Sequence, residues 1–87
     1  MTAFYRENQD NAGPRVGFTV GKVLGGAVDR NRIRRRMRSA VRNHLCELAR
    51  PLDLVLHPRK SVLTLEFSKL DAEVMQVFAA VQRGRGR

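Results

Sequence analysis

Tryptophan is absent from this chain of 87 residues, and tyrosine and cysteine each occur once. A lone thiol, Cys46, forms no internal disulfide, which agrees with a reducing compartment. No apolar run approaches the roughly 20 residues that a spanning helix needs, so no helix crosses a bilayer. The opening Met-Thr-Ala-Phe-Tyr-Arg-Glu lacks the basic start and apolar stretch of a secretory signal, so a cytoplasmic location is expected. Acids are scarce as well: 8 Asp and Glu stand against 17 Lys and Arg, for a net charge of +9. The scarcity is local, because not one acid lies between Arg30 and Cys46. The length favours a single domain with a modest core.

Catalytic and metal chemistry find little to work with. His44 and Cys46, two positions apart on a helix, point about 200° from each other and cannot pair as base and nucleophile. One Cys and two His without spaced carboxylates make a poor metal set, and Cys46 is read as a small buried hydrophobe. The stretch GFTVGKV resembles a phosphate loop, but three residues instead of four separate Gly17 from Gly21, and Val23 follows Lys22 where Ser or Thr is required. No catalytic residue and no metal ligand is assigned.

The periodicities predict an α+β fold. Val16, Phe18 and Val20 alternate with Arg15, Gly17, Thr19 and Gly21, a strand over 15–22. Asn8 to Pro14 reads as a hairpin loop joining it to a partner strand TAFYRE. Gly25-Gly26 ends the extended run, and Asp29 is the expected N-cap of a helix stopped by Pro51. Its apolar stripe is Ile33, Met37, Ala40, Val41, His44, Leu45 and Leu48, with Arg32, Arg35, Arg38 and Arg42 on the other side. DLVLH, 53–57, fits a buried strand; 61–67 is read as an irregular connection. Ser68-Lys69-Leu70-Asp71 resembles a capping box before a second helix carrying Leu70, Val74, Val77, Phe78 and Val81; capping and the helix dipole account for Asp71 and Glu73. A two-layer sandwich follows, with the sheet packed by the Arg-rich helix and a C-terminal helix. The RGRGR tail at 83–87 reads as a disordered basic segment after a single domain over 1–82.

Seven arginines in residues 30–42 face no acid, so Arg34 and Arg38, and Arg38 and Arg42, repel across one helical turn. Each such pair costs about 0.2–0.5 kcal/mol, which a polyphosphate partner offsets. Fourteen of the 17 bases are Arg, whose planar fork grips phosphate bidentately. Nucleic acid is therefore the expected partner. A membrane surface is disfavoured because the apolar stripe lacks an aromatic anchor and is needed for the core. A DNA-reading regulator would need Asn or Gln readers that the arginine face does not offer. Phe4 and Phe18 are read as core, and Tyr5, on the opposite sheet face, as a surface on which single-stranded RNA stacks.

The string RVGFTVGKVLGGAVDRNRIRRRMRSAVR resembles the signature of the protein subunit of bacterial ribonuclease P. The matching residues are Arg15, Gly17 and Lys22; Gly25-Gly26-Ala27-Val28; Arg30-Asn31-Arg32; and Arg34, Arg35 and Arg38. DLVLHPRK resembles the family's last strand with its Arg-Lys exit, and 69–82 its closing helix. The resemblance implies a left-handed strand-helix-strand crossover, where general physics favours the right-handed one. It also implies the activity: binding the catalytic RNA and the 5′ leader of precursor tRNA to assist endonucleolytic removal of the leader. The chemistry would lie in the RNA with Mg2+, and the protein would bind no cofactor of its own. Arg30, Asn31, Arg32, Arg35 and Arg38 match the RNA-docking motif. Lys22, Arg34, Arg42, Arg59 and Lys60 join them on charge and position, and Tyr5 with Phe18 is assigned to the leader cleft. Family members usually begin with a basic N-terminal helix that this chain is expected to lack. A monomer is expected, with self-association through the uncovered sheet as the alternative state. A general or ribosome-associated RNA-binding protein without a processing role is the alternative function.

Overall fold

The computed structural model describes residues 1–8 and 13–84. Three strands, β1 (Thr2–Glu7), β2 (Arg15–Phe18) and β3 (Leu52–His57), and two helices, α1 (Ala27–His44) and α2 (Phe67–Gln82), account for its regular structure together with short 3-10 turns. The α+β class and the two packing helices are as the periodicities predict. Strand order is not. The sheet runs β1-β3-β2, with β3 antiparallel to β1 and parallel to β2. TAFYRE and RVGF therefore do not form the expected hairpin. Leu52, Leu54 and Leu56 are buried to within 1%, and a strand so apolar on one face takes the centre, leaving the polar-rich strands at the edges. Of the expected hairpin loop, 9–12 lie outside the described residues. Asn8 brackets them, donating from Nδ2 to the Gly13 carbonyl at 3.1 Å and from its backbone N–H to Pro51 at 2.9 Å.

One core lies on one face of the sheet. Ile33, Met37 and Ala40 of α1, Leu70, Val74, Phe78 and Val81 of α2, and the three β3 leucines form it with Leu48 and Val62. Both helices thus cover the same face. Pairing of Phe4 with Val55 and Tyr5 with Leu54 then fixes the alternation of β1. Tyr5 packs toward the core and Phe4, 63% exposed, points to the open face, the reverse of the sequence expectation. Phe18 packs toward the core as expected.

Several boundaries move for local reasons. The strand expected over 15–22 ends at Phe18, and a 3-10 turn occupies Lys22–Leu24. α1 begins two residues before Asp29, with Gly26 as N-cap and no capping side chain. Gly25 takes φ +121°, and a Cβ there would sit 3.1 Å from Asp29 Oδ2, so glycine is required to admit the first turn. α1 ends at His44, well before Pro51, and a 3-10 turn over Leu45–Glu47 returns Leu48 to the core. Cys46 lies in that turn, at a phase about 220° from Ile33 and so opposite the buried stripe, and it is exposed, not the buried hydrophobe expected. The 61–67 connection contains a 3-10 turn, Lys60–Leu63, and no strand. α2 starts at Phe67 with no side-chain cap, so the Ser68 box does not form. Gly84, at φ +78°, closes α2 by donating to the Val81 carbonyl at 2.9 Å. The tail expected from 83 onward falls mostly at 85–87, outside the described residues.

Asp71 instead ties the helices together. His44 Nδ1 lies 2.7 Å from Glu47 Oε2 and its Nε2 lies 2.8 Å from Asp71 Oδ2. A neutral imidazole has one N–H, so two carboxylate partners call for the imidazolium. Glu47 foremost, then Asp71, raise the His44 pKa above its ordinary 6.5. Asn43 Nδ2 donates to Asp71 Oδ1 at 3.0 Å, and Asn43 foremost, then His44, hold the Asp71 carboxyl below its ordinary 3.8. The raised histidine stabilises fully below 6.5 and loses that contribution as pH rises through its folded value. The depressed Asp71 stabilises fully above 3.8 and loses that contribution as pH falls through its folded value. Urea midpoints should therefore decline from about pH 5.5 to about pH 9 in the native chain. His44→Gln should flatten that decline; an unchanged slope would remove the imidazolium from the account.

Candidate nucleic-acid interface

Ile33, Met37 and Ala40 form a narrow stripe, each fully buried. At 3.6 residues per turn, Asn31, Arg35, Arg38 and Arg42 lie within about 50° of the pole opposite that stripe. All four are exposed, as is Arg32 on the flank. Arg32, Arg35, Arg38 and Arg42 make no hydrogen bond or ion pair among the described residues, so their guanidinium donors face solvent. Arg34 is held by its neighbour, Nη1 donating to Asn31 Oδ1 at 2.8 Å. Arg30 is half-buried, and its Nε has no partner among the described residues. Lys22 is exposed at the head of the first 3-10 turn; Arg59 and Lys60 are exposed where β3 exits. Both turns pack against α1, so the basic residues assigned from sequence gather around one helix.

Arg36 behaves differently from its neighbours. Its Nη2 donates to the Leu65 carbonyl, and the guanidinium carbon stands 5.9 Å from the centroid of the Phe67 ring. It fastens the connection between β3 and α2 onto α1. Its phase, three residues after Ile33 and beside the buried stripe, is the sequence signal that separates it from the solvent-facing arginines.

The open face of the sheet carries the other candidate surface. Phe4 meets His57 edge-on at 5.3 Å between centroids. A shallow depression of about 390 Å³ is lined by Phe4, Tyr5, Arg6, Asp53 and Val55. Its one carboxylate is occupied: Arg15 donates from Nε and Nη2 to the two Asp53 oxygens at 2.8 and 3.3 Å, and foremost this bond lowers the Asp53 pKa. Of the two residues assigned to this cleft, Tyr5 reaches its lining from the core side, and Phe18 packs on the core side of the sheet. Phe4 is the aromatic that the depression exposes, and alternation against Val55 is the signal that identifies it. Among the described residues no group of three or more His, Cys, Asp or Glu is placed to hold a metal ion, and no helix is long and apolar enough to cross a membrane.

The family model described as "Ribonuclease P" matches residues 1–82. A "Ribonuclease P protein component" of Finegoldia magna is 40% identical over 65 residues, covering 75% of this chain and 58% of the relative. That of Brucella suis is 46% identical over 68 residues, covering 77% and 48%. That of Streptococcus pneumoniae is 41% identical over 77 residues, covering 88% and 62%. The chain thus spans about half to three-fifths of the length of these curated relatives. The Staphylococcus aureus RNase P protein has a similar structure, with TM-score 0.72 at 25% identity over 92% of this chain and 72% of that one. The Thermotoga maritima protein shares the fold, with TM-score 0.74 at 22% identity over 93% and 74%.

The division among the arginines is measurable in the isolated protein. Arg36→Ala should lower stability by about 1–2 kcal/mol through its lost charged hydrogen bond and ring contact. Arg38→Ala should stay within about 0.5 kcal/mol of the native chain. Equal urea midpoints for the two variants would contradict the separate role of Arg36.

Proposed function

The chain belongs to the ribonuclease P protein family, and from that premise we propose that it is the protein subunit of bacterial ribonuclease P. It binds the catalytic RNA and steers the 5′ leader of precursor tRNA while the leader is removed. What supports this most directly is the row of exposed, unpaired arginines at 32, 35, 38 and 42 on a helix whose other side is locked in the core. Guanidinium groups on a rigid helix neutralise a folded RNA's phosphates without rearrangement, and release its counterions on binding. Arg30, Asn31 and Arg34 extend that surface, with Lys22, Arg59 and Lys60 on the neighbouring turns.

The leader takes the open face of the sheet. Exposed Phe4 offers a stacking surface for one unpaired base, and Arg6 beside it adds positive charge, acting on Asp53 across the strand pair while Arg15 makes the hydrogen bonds to that carboxylate. Strand β1 therefore contributes Phe4 to leader contact, and Tyr5 and Phe18 support the sheet from below. Bond cleavage belongs to the RNA and its Mg2+ ions; the protein's part is binding and orientation. The expected setting is the cytoplasm, with precursor tRNA as the shared substrate.

The test is cleavage of precursor tRNA by a bacterial ribonuclease P RNA at low magnesium, with the chain added or withheld. Added protein should accelerate cleavage, and a longer leader should increase the gain. Phe4→Ala should remove the leader-length dependence, at about five-fold or more, and leave the thermal midpoint nearly unchanged, because the ring is exposed. Absence of any acceleration would overturn the proposed function, and an unaltered leader dependence in the variant would overturn the role of Phe4.

A further inference from the structure

A groove of about 350 Å³ runs between α1 and the connection to α2, lined by Arg32, Arg35, Arg36, Ser39, Leu63 and Phe67. Positions 32, 35, 36 and 39 recur at helical spacing, so one side of α1 makes the wall. Leu63 and Phe67, both half-buried, make an apolar floor. Arg36 is fixed by the Leu65 carbonyl and the Phe67 ring, whereas Arg32 and Arg35 stand free at the rim. No carboxylate lines the groove.

We propose that this groove receives a single unpaired nucleotide of the catalytic RNA, with its base on Leu63 and Phe67 and its phosphate between Arg32 and Arg35. The proposal rests on the function given above. A base-paired segment presents its phosphates but keeps its bases stacked inside, which satisfies the rim and leaves the floor wet; a splayed nucleotide satisfies both. The volume stands at the lower end of the roughly 300–1,000 Å³ of small-ligand pockets, room for one nucleotide and not for a duplex. Ser39 adds a hydroxyl that can donate to or accept from a base edge or a 2′-OH. Arg35 belongs both to the solvent-facing pole of α1 and to the groove rim, so RNA docked on the pole passes the groove mouth. The guanidinium row thus binds phosphate irrespective of sequence, and the groove adds a contact that depends on an unpaired position in the RNA.

Ser39→Leu fills the exposed mouth of the groove without changing charge. Binding of ribonuclease P RNA to the native and variant chains is measured across a salt series. The variant should bind about five-fold or more weakly with an unchanged salt slope, since the phosphate contacts remain. Equal affinity would overturn the nucleotide site while leaving the proposed function standing. A loss accompanied by a slope reduced by about 0.7–0.9, the signature of one lost phosphate contact, would also overturn it. Failure of the native chain to bind this RNA would overturn the proposed function and the groove's occupant with it. Should Ser39→Leu not fold, amide shifts of the native chain titrated with adenosine 5′-monophosphate and with ribose 5-phosphate decide the matter. Leu63 and Phe67 should respond to the nucleotide at about five-fold lower concentration. Equal responses would reduce the groove to an anion site and contradict the proposal.

Discussion

The constraint on which the remaining structure depends is the burial of Ile33, Met37 and Ala40 in one core with the α2 residues and with Leu52, Leu54 and Leu56 of the middle strand. Those α1 residues lie at i, i+4 and i+7, so the buried stripe is narrow and most of the helix perimeter is free. Burying each large side chain contributes about 1.5–3 kcal/mol, far above the repulsion of about 0.2–0.5 kcal/mol between arginines one turn apart. Packing therefore decides the orientation of α1, and the charge is presented outward as its consequence. A small domain of this kind has little stability to spare, which gives weight to the ties outside the core.

Two such ties use polar groups from the basic helix itself. His44 joins the end of α1 to Asp71 near the start of α2, and Arg36 joins its middle to the connection that precedes α2. α2 and the turn before it are thereby held against α1 at both ends of the contact. The groove lies around the Arg36 fastening, with two free guanidinium groups at its rim. The seven arginines of 30–42 are thus not equivalent: Arg36 is structural, Arg34 is oriented by Asn31, and Arg32, Arg35, Arg38 and Arg42 face solvent.

The faces of both helices were legible in the sequence, because a period of 3.6 separates Ile33, Met37 and Ala40 from Arg35, Arg38 and Arg42 without any knowledge of what packs where. The sheet was less so. A period of two shows that Phe4 and Tyr5 lie on opposite faces and says nothing of which face is covered; only pairing with Leu54 settles that. Nearness in sequence favoured a hairpin of β1 and β2, and the competing pull of the apolar β3 placed it between them. Helix ends failed where tertiary partners outweighed local signals. Asp29 and Ser68 look like caps, yet backbone turns begin both helices, and Asp71 serves Asn43 and His44 of the other helix. The exposure of Cys46 was legible in the same helical period, which sets it about 220° from Ile33; reading it as buried followed the habit of the residue type and not its phase.

The most direct test of the central claim is the salt dependence of binding between this chain and ribonuclease P RNA. Four free arginines on α1, each neutralising one phosphate, predict that log K falls with log[salt] with a slope of about −3 or steeper. A slope near zero, at any affinity, would contradict the assignment of the acid-free face of α1 to RNA.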